Sequence, residues 1–222
     1  MTTFVRWVLP LLLLILLAPF SAALDLRVSS AFFHDGHFYS NSLVHFIYNY
    51  GPIPADIVFG LAVIGLIFSF GKWKKWRTPS LLLVLTLALG AGFVAHVIFK
   101  DHWGRPRPKQ IVEFGGKQEF RPFYSPNFFA QPEPSKSFPC GHCTMGFYFF
   151  AVALVGKRIG SRPLYIVGWA AAIALGTILS LTRIAQGGHF LSDTIFSAII
   201  MWYTALCCDW MLFDERTISQ AA

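Results

Sequence analysis

Three short segments of this sequence concentrate cations, histidines and an acid whose types suit phosphate chemistry. They span residues 100–108, 139–142 and 183–193. Guanidinium groups bind the oxygens of a phosphate in bidentate fashion, and an ammonium group supplies a point charge. The candidate phosphate-binding cations are Lys100, Arg107 and Arg183. Taken singly, each is explained as well by a contact with lipid headgroups at a membrane surface.

His189 and Asp193, in the third segment, have the spacing of a nucleophile and its orienting acid. Being four residues apart, they share one face where a helix begins, so the carboxylate can hold one ring nitrogen while the other presents its lone pair. In the second segment His142 follows Cys140 and Gly141 at a predicted helix start, where it can meet an anion and protonate a leaving oxygen. Each feature alone also fits an ordinary helix-end hydrogen bond, so the inference depends on all three segments meeting.

The composition indicates where such a site would lie. Of 222 residues, 55% are hydrophobic and only 13% are charged, against about 25% charged in soluble domains. A disordered chain and a nucleic-acid-binding arm are therefore excluded. The formal net charge of +7 indicates an anionic partner, which in so apolar a chain is phospholipid or a phosphorylated substrate. The expected partners are a phosphorylated membrane lipid and the bilayer itself.

Six apolar stretches are long enough, or nearly so, to cross a bilayer as helices, which takes about 20 residues. They are residues 4–24, 52–70, 80–99, 143–156, 164–182 and 190–208. Open sheets are excluded because unpaired backbone groups cannot face lipid. We therefore expect an all-α, polytopic membrane protein, a six-helix bundle that forms a single domain over residues 1–222 with its core at 50–208. Alternating helix directions then bring the three segments to the same membrane face.

The orientation of the bundle depends on the positive charges beside its helices. With the amino terminus in the cytoplasm, nine Lys and Arg residues fall on each side, so the count alone decides nothing. The charges in 72–77 and 157–162 lie tightly against helix ends, which favours cytoplasmic termini and places the three segments on the extracytoplasmic side. The first span also imitates a secretory signal, with Arg6 before the apolar run and small residues at 21–23. An uncleaved helix is the simpler prediction.

Two stretches outside the spans have patterns of their own. In 25–51 a set of apolar residues recurs at helical spacing, which predicts an amphipathic helix in the membrane interface. That set is Tyr39, Leu43, Phe46, Ile47 and Tyr50. A connector that packs its aromatic side chains against the spans fits equally well. The segment 100–138 is too long for a simple connection, and its aromatic content predicts a lid that touches lipid.

The three segments resemble the signature of the type 2 phosphatidic acid phosphatase (PAP2) family, which also includes bacterial acid phosphatases and vanadium haloperoxidases. That signature reads Lys-x6-Arg-Pro, then Pro-Ser-Gly-His, then Ser-Arg-x5-His-x3-Asp. Its matches are Lys100, Arg107 and Pro108; Pro139, Gly141 and His142; and Arg183, His189 and Asp193. Cys140 and Thr182 stand where the family usually has serine. Because a thiol donates more weakly than a hydroxyl, the contact from Cys140 is weakened.

The resemblance implies a bacterial integral-membrane phosphatase that works without a metal or other cofactor. In that scheme His189 attacks phosphorus and forms a phosphohistidine, Asp193 orients and charges the ring, and His142 protonates the leaving oxygen. Water then releases inorganic phosphate. The implied phosphate-binding set is Lys100, Arg107, Arg183, Cys140 and Gly141, whose cations stabilise the transition-state oxygens.

The resemblance also narrows the substrate to a phosphorylated lipid at the extracytoplasmic face of a bacterial inner membrane. Bacterial relatives of this size act on lipid A, undecaprenyl pyrophosphate, phosphatidylglycerophosphate or phosphatidic acid. The first two are favoured, although no residue decides among them. Whether phosphate passes to water or to another acceptor stays open.

Cys140 and Cys143 also form a Cys-x-x-Cys, so a membrane thiol-disulfide oxidoreductase is the alternative function. The other two cysteines, Cys207 and Cys208, fall near the opposite membrane face and cannot relay electrons to this pair. A redox function also leaves the cations unexplained. A zinc site is poorer still, because ligands this close in sequence rarely span a tetrahedron without a fourth donor. A regulatory disulfide between Cys140 and Cys143 remains open in an oxidising compartment.

Overall fold

The computed structural model describes residues 3–71, 73–129 and 135–213, most of which are helical. Three parts of the chain discussed above lie outside the described residues: Lys72 of the 72–77 cluster, residues 130–134 of the long segment, and Arg216, which is one of the nine positive charges counted on the cytoplasmic side. The helices are α1 (Thr3–Trp7), α2 (Leu9–Ser30), α3 (Ser42–Tyr50), α4 (Ile53–Phe68), α5 (Arg77–Leu85), α6 (Gly141–Phe147), α7 (Phe149–Arg158), α8 (Arg162–Ala185) and α9 (Leu191–Phe213). A π-helix, Thr86–Lys100, continues α5, and single 3-10 turns lie at Lys74–Trp76, Pro108–Gln110 and Val112–Phe114.

Five helical stretches among the described residues are long and apolar enough to cross a membrane. They are Phe4–Ser30, Ser42–Phe68, Lys74–Lys100, Arg162–Ala185 and Leu191–Phe213. Each overlaps one of the six predicted spans. The remaining prediction, 143–156, falls on α6 and α7, two shorter helices that meet at Tyr148. The described chain is thus a bundle with five helices of spanning length, where the sequence predicts six.

The short helix α7 lies in the centre of the bundle. Every residue from Phe149 to Gly156 is buried, and glycines let the neighbouring helices approach closely. A Cβ on Gly146 of α6 would lie 2.5 Å from the backbone nitrogen of Gly176 in α8, and one on Gly168 would overlap the backbone of Ala153. Small residues at such crossings let helices associate in lipid, where the hydrophobic effect does not drive them together. Helices α6, α7 and α8 therefore form a tightly packed unit.

The stretch 25–51 contains several elements in place of one interfacial helix. They are the end of α2, an antiparallel hairpin of two-residue strands, β1 (Phe33–His34) and β2 (His37–Phe38), and then α3. Helix α3 leads straight into α4, because Gly51 and Pro52 between them keep helical backbone angles. The hairpin is a departure from the all-α expectation, and its turn uses Gly36 with a positive φ of 80°.

The long segment after the π-helix folds back over the end of the bundle. The Ser137 N–H donates to the Arg105 carbonyl at 3.0 Å, which joins its two ends. Three of its aromatic side chains are buried, Phe114, Phe123 and Phe138, and three are exposed, Tyr124, Phe128 and Phe129. The buried set packs onto the bundle, and contact of the exposed set with lipid stays a prediction.

Candidate active site

Four helical elements bring their ends together at one end of the bundle, and these ends carry the predicted site residues. The π-helix ends at Lys100, α6 begins at Gly141, α8 ends just after Arg183, and α9 begins two residues after His189. Lys100 Nζ lies 3.3 Å from the place that a Cβ on Gly141 would occupy. A Cβ on Gly188 would overlap the guanidinium of Arg183. The second and third segments therefore use glycine where a cation approaches the backbone.

Tyr48 of α3 connects the second segment to the third. Its ring stacks on His142, with centroids 4.5 Å apart and planes at 17°. The guanidinium of Arg183 lies over the same ring, 4.8 Å from its centroid, and donates to Gln186 Oε1 at 2.6 Å. Arg183 and Arg107 both line a cavity of about 320 Å³ at this end of the bundle, and Tyr48 lines it with them. Arg107 of the first segment and Arg183 of the third thus meet in one pocket.

His189 is buried and held as a neutral ring. Its Nδ1 lies within hydrogen-bond distance of the Ser137 carbonyl oxygen. Because a carbonyl can only accept, Nδ1 carries the ring proton and Nε2 has the free lone pair. Burial chiefly lowers the pKa of His189 to about 3, with Lys100 and Arg183 adding to the effect and Asp193 opposing it. At neutral pH the ring therefore has the protonation state that a nucleophile requires.

Asp193 lies near His189 without a direct hydrogen bond to it. Asp193 Oδ2 is 3.6 Å from His189 Nδ1, whereas it accepts from Ser137 Oγ at 2.6 Å and from the Phe190 N–H at 2.8 Å. The carboxylate thus orients His189 indirectly, through the residue whose carbonyl holds the ring. Its negative charge is still close enough to favour positive charge on that ring.

Arg105 and Asp25 are polar partners of the site that the sequence analysis missed. Arg105 is fully buried and forms ion pairs with both Asp193 and Asp25. Asp25 lies inside the helical stretch Phe4–Ser30, where a carboxylate is costly and usually has a specific partner. The predicted first span, 4–24, ends one residue before it, so the sequence signal for this residue was weak. Tyr48 and Ser137 had no such signal, since both act through contacts with residues distant in sequence.

His142 lies in the first turn of α6 and is close to the same cations. Burial first, and then the charges of Arg183, Lys100 and His96, lower the pKa of His142 to about 4. This imidazole is therefore neutral at pH 7. It can act as a proton donor only when a bound anion offsets those cations.

Cys140 and Cys143 form a disulfide, with Cα atoms 5.3 Å apart. Cys140 is the N-cap residue of α6, and its sulfur accepts from the Cys143 N–H at 3.3 Å. A disulfide sulfur has no hydrogen, so Cys140 in this state lacks the thiol donor that the sequence predicts for phosphate. The Cys140 N–H is engaged as well, since it donates to Ser197 Oγ at 2.9 Å.

The described residues contain no group of three or more His, Cys, Asp or Glu side chains arranged to hold a metal ion.

Residues 79–216 match the model of the PAP2 superfamily. The chain belongs to the PAP2 superfamily. This confirms the resemblance drawn from the three segments, all of which fall within the matched residues. The superfamily assignment covers α5 to α9 and leaves α1 to α4 outside.

Three relatives of this PAP2 chain share the same descriptive name. The lipid A 4'-phosphatase of Francisella tularensis subsp. novicida (strain U112) is 35% identical over 181 residues, which cover 75% of this chain and 79% of that protein. A lipid A 4'-phosphatase of Rhizobium leguminosarum is 31% identical over 125 residues, 54% of this chain and 48% of that protein. One of Rhizobium etli is 32% identical over 107 residues, 48% of this chain and 39% of that protein. No solved structure matches the chain.

Family and relatives together identify the chain as a phosphatase, a phosphoric monoester hydrolase. Its apolar helices make it a multi-pass membrane protein.

Proposed function

We propose that this phosphatase removes a phosphate group from lipid A, at the extracytoplasmic face of a bacterial inner membrane, through a phosphohistidine and without a metal. The observation that carries the proposal is a buried, neutral His189 whose Nε2 is free, beside Lys100 of the first segment and Arg183 of the third. The three relatives named for lipid A support the choice of lipid. The position of the site at one end of a bundle of apolar helices suits a phosphate in the headgroup plane.

The cations of the site are available to bind an anion. In the described part of the chain, neither Lys100 nor Arg107 nor Arg183 has a carboxylate within 4.0 Å. The Nε of Arg183 is buried without a hydrogen-bond partner among the described residues, and an orphaned charged donor of this kind is costly until an acceptor arrives. A phosphate oxygen is such an acceptor.

In the first chemical step His189 Nε2 attacks phosphorus, a P–N bond forms and the P–O bond to the lipid breaks. The imidazole becomes cationic, and the Ser137 carbonyl and the Asp193 carboxylate lie where they stabilise that charge. Charge on the transferring oxygens is stabilised by the three cations. The leaving oxygen takes its proton from His142.

In the second step water attacks the phosphohistidine, breaks the P–N bond and releases inorganic phosphate. His142 is neutral after giving up its proton, so it can accept one from the attacking water. His189 then returns to the neutral state that its buried position favours.

A panel of substrates tests which lipid is used. Purified protein in detergent is offered lipid A, undecaprenyl pyrophosphate, phosphatidylglycerophosphate and phosphatidic acid with a chelator present, and phosphate release is scored. We expect lipid A to be the best substrate and the chelator to have no effect. Undecaprenyl pyrophosphate is the second candidate. A higher rate with any other lipid contradicts the proposed substrate, and loss of activity with chelator contradicts the metal-free mechanism.

Replacing the nucleophile tests the mechanism. We expect His189→Ala to lower phosphate release from the best lipid by more than about a thousandfold, because no other group can form the intermediate. The matched control is His34→Ala, an exposed histidine in the hairpin, which should keep wild-type activity. Quenching wild-type enzyme in alkaline detergent during turnover of a lipid that carries labelled phosphate should also yield a base-stable, acid-labile phosphoprotein that His189→Ala lacks. An active His189→Ala enzyme would end the assignment.

The disulfide is the observation that favours the thiol-disulfide alternative. Against that function, Cys208 lies fifteen residues beyond Asp193 on the same helix α9, which at about 1.5 Å per residue places it roughly 22 Å from the site. A second cysteine pair so far away cannot exchange electrons directly with Cys140 and Cys143. Oxidoreduction also offers no reason for the converging cations, so phosphatase chemistry remains the proposal.

A further inference from the structure

Asp25 is a buried carboxylate on α2, outside residues 79–216 that match the superfamily model. Only 1% of its surface is exposed. Its Oδ2 accepts from Arg105 Nη2 at 2.7 Å and from Ser192 Oγ at 2.6 Å, and its Oδ1 accepts from the Ser192 N–H at 2.8 Å. The backbone bond to Ser192 lies in the first turn of α9, so Asp25 caps that helix from a different helix.

Arg105 connects Asp25 to the site, because it also binds Asp193. Its Nη1 donates to Asp193 Oδ1 and to Ser192 Oγ, and its Nε donates to the Arg121 carbonyl at 2.8 Å. The guanidinium also lies 4.4 Å from the ring centroid of Phe190. One buried cation is therefore shared between two buried carboxylates, one from the first membrane helix and one from the catalytic segment.

This sharing determines how Asp193 meets His189. With Nη2 held by Asp25, Arg105 presents only Nη1 to Asp193 and occupies only its Oδ1. Oδ2 is then left to accept from Ser137 Oγ and from the Phe190 N–H. The Ser137 carbonyl in turn accepts from His189 Nδ1. Without Asp25, both ends of the guanidinium fork could turn to Asp193 in the bidentate pairing that arginine prefers. Oδ2 would then be drawn from Ser137.

We propose that Asp25 is a positioning residue for the phosphatase reaction, supplied by a helix outside the superfamily core. It acts through Arg105 and the start of α9 on Asp193, and through Ser137 on the orientation and charge of His189. The effect of Asp25 on the reaction rate rests on the proposed function of His189. Its effect on the orientation and charge of the His189 ring does not.

Asp25→Asn tests the proposal in kinetics. We expect kcat to fall on the order of tenfold to a hundredfold with KM changed by less than about twofold, because the loss is in the transition state. Removing one negative charge lowers the pKa of both site histidines. The limb of the pH profile that needs neutral His189 and the limb that needs protonated His142 should therefore both move to lower pH. A purely structural role would lower the amount of active enzyme and leave the profile unmoved.

A double variant tests whether Asp25 acts through Arg105. Arg105→Gln alone should lower kcat, and adding Asp25→Asn should cause no further loss, because the path is already broken. The matched control is Asp56→Asn, an exposed aspartate on α4, which should behave as wild type. If Asp25→Asn does not fold, Asp25→Glu keeps the charge and displaces Arg105 by one methylene, and it should lower kcat without moving the profile. Wild-type kcat in the folded Asp25 variants, or additive losses in the double variant, overturns the proposal.

A readout that needs no turnover separates this inference from the proposed function. The Nδ1–H of His189, bonded to a carbonyl, should give a far-downfield proton resonance that is absent in His189→Ala. We expect Asp25→Asn to shift or broaden it and Asp56→Asn to leave it unchanged. If wild-type enzyme releases phosphate from no lipid, the proposed function fails while this resonance still decides the role of Asp25. An unchanged resonance in Asp25→Asn contradicts that role.

Discussion

In the proposed mechanism, His142 and His189 need opposite protonation states. Burial and the neighbouring cations lower the pKa of both, to about 4 and about 3. For His189 this favours the neutral nucleophile. For His142 it opposes the role of proton donor, so the phosphate itself must restore the proton by offsetting Arg183 and Lys100. In the proposed mechanism the bound phosphate thus raises the pKa of His142, the group that donates the proton.

The pH profiles of kcat and kcat/KM should show this change in the protonation of His142. In the free enzyme His142 loses its proton as pH rises past about 4, so kcat/KM should fall with increasing pH on that limb. With phosphate bound its pKa is raised, so the corresponding limb of kcat should lie at higher pH. We expect this separation in steady-state profiles of the best lipid.

The control for this prediction is His142→Ala, which should have low activity and no alkaline limb assignable to this residue. Comparing both enzymes on one lipid removes the ionisation of the substrate itself from the difference. Coincident alkaline limbs for kcat and kcat/KM in the wild type would show that bound phosphate does not change the protonation of His142.

At the scale of elements, the positions of the site residues depend on how closely α6, α7 and α8 pack. His142 lies near the start of α6 and Arg183 near the end of α8. Glycines allow the close contacts of these helices: Gly146 of α6 lies against Gly176 of α8, and Gly168 of α8 lies against Ala153 of α7. At such a crossing the added atom would meet backbone, which no rotamer change can relieve. The small residues thus set the distance between helix ends and hence between the site residues.

Gly168→Val should destabilise the protein because its side chain would overlap the backbone of Ala153. Overpacking of this kind costs about 1–3 kcal/mol, which corresponds to a fall in Tm of very roughly 2–12 °C. Thermal unfolding in detergent measures it. Gly60→Val is the matched control, because a Cβ on Gly60 meets nothing within 4 Å. Equal melting temperatures for the two variants would contradict the tight packing of α7 against α8.

At the scale of the whole molecule, the first helix is part of the bundle and carries a polar group to the site. Trp202 Nε1 donates to the Arg6 carbonyl at 2.9 Å, and Tyr203 Oη donates to the Trp7 carbonyl at 2.6 Å. At the other end of the same stretch lies Asp25. Through Asp25 the first span therefore contributes a side chain to the hydrogen-bond network around Asp193.

The proposed orientation predicts which end of the bundle is accessible from outside. In a Cys207→Ser background, which removes the exposed free thiol, Lys109→Cys and Lys75→Cys place one thiol at each end. Lys109 lines the cavity of the site, and Lys75 precedes α5 at the opposite end. A membrane-impermeant maleimide added to intact spheroplasts should label Lys109→Cys and reach Lys75→Cys only after lysis. The reverse pattern would place the site in the cytoplasm.

The sequence by itself determined the family and the candidate catalytic residues, because phosphoryl transfer requires particular side chains at short, local spacings. The Lys100, His142 and His189 segments carry this information within a few residues each. Apolar runs likewise located five spanning helices, since crossing a bilayer requires a length of apolar chain. Where a helix is enclosed by others, as α7 is, the run is shorter, because protein and not lipid sets its length.

The tertiary structure alone decided which residues hold the candidate catalytic residues in place. Arg105 and Asp25 are 80 positions apart in sequence, and Tyr48 reaches His142 from α3. No local spacing records such pairs, because they exist only once helices pack side by side. The indirect hold of Asp193 on His189 through Ser137 also depends on that packing. A buried charge needs a partner, and the fold determines which residue lies close enough to provide it.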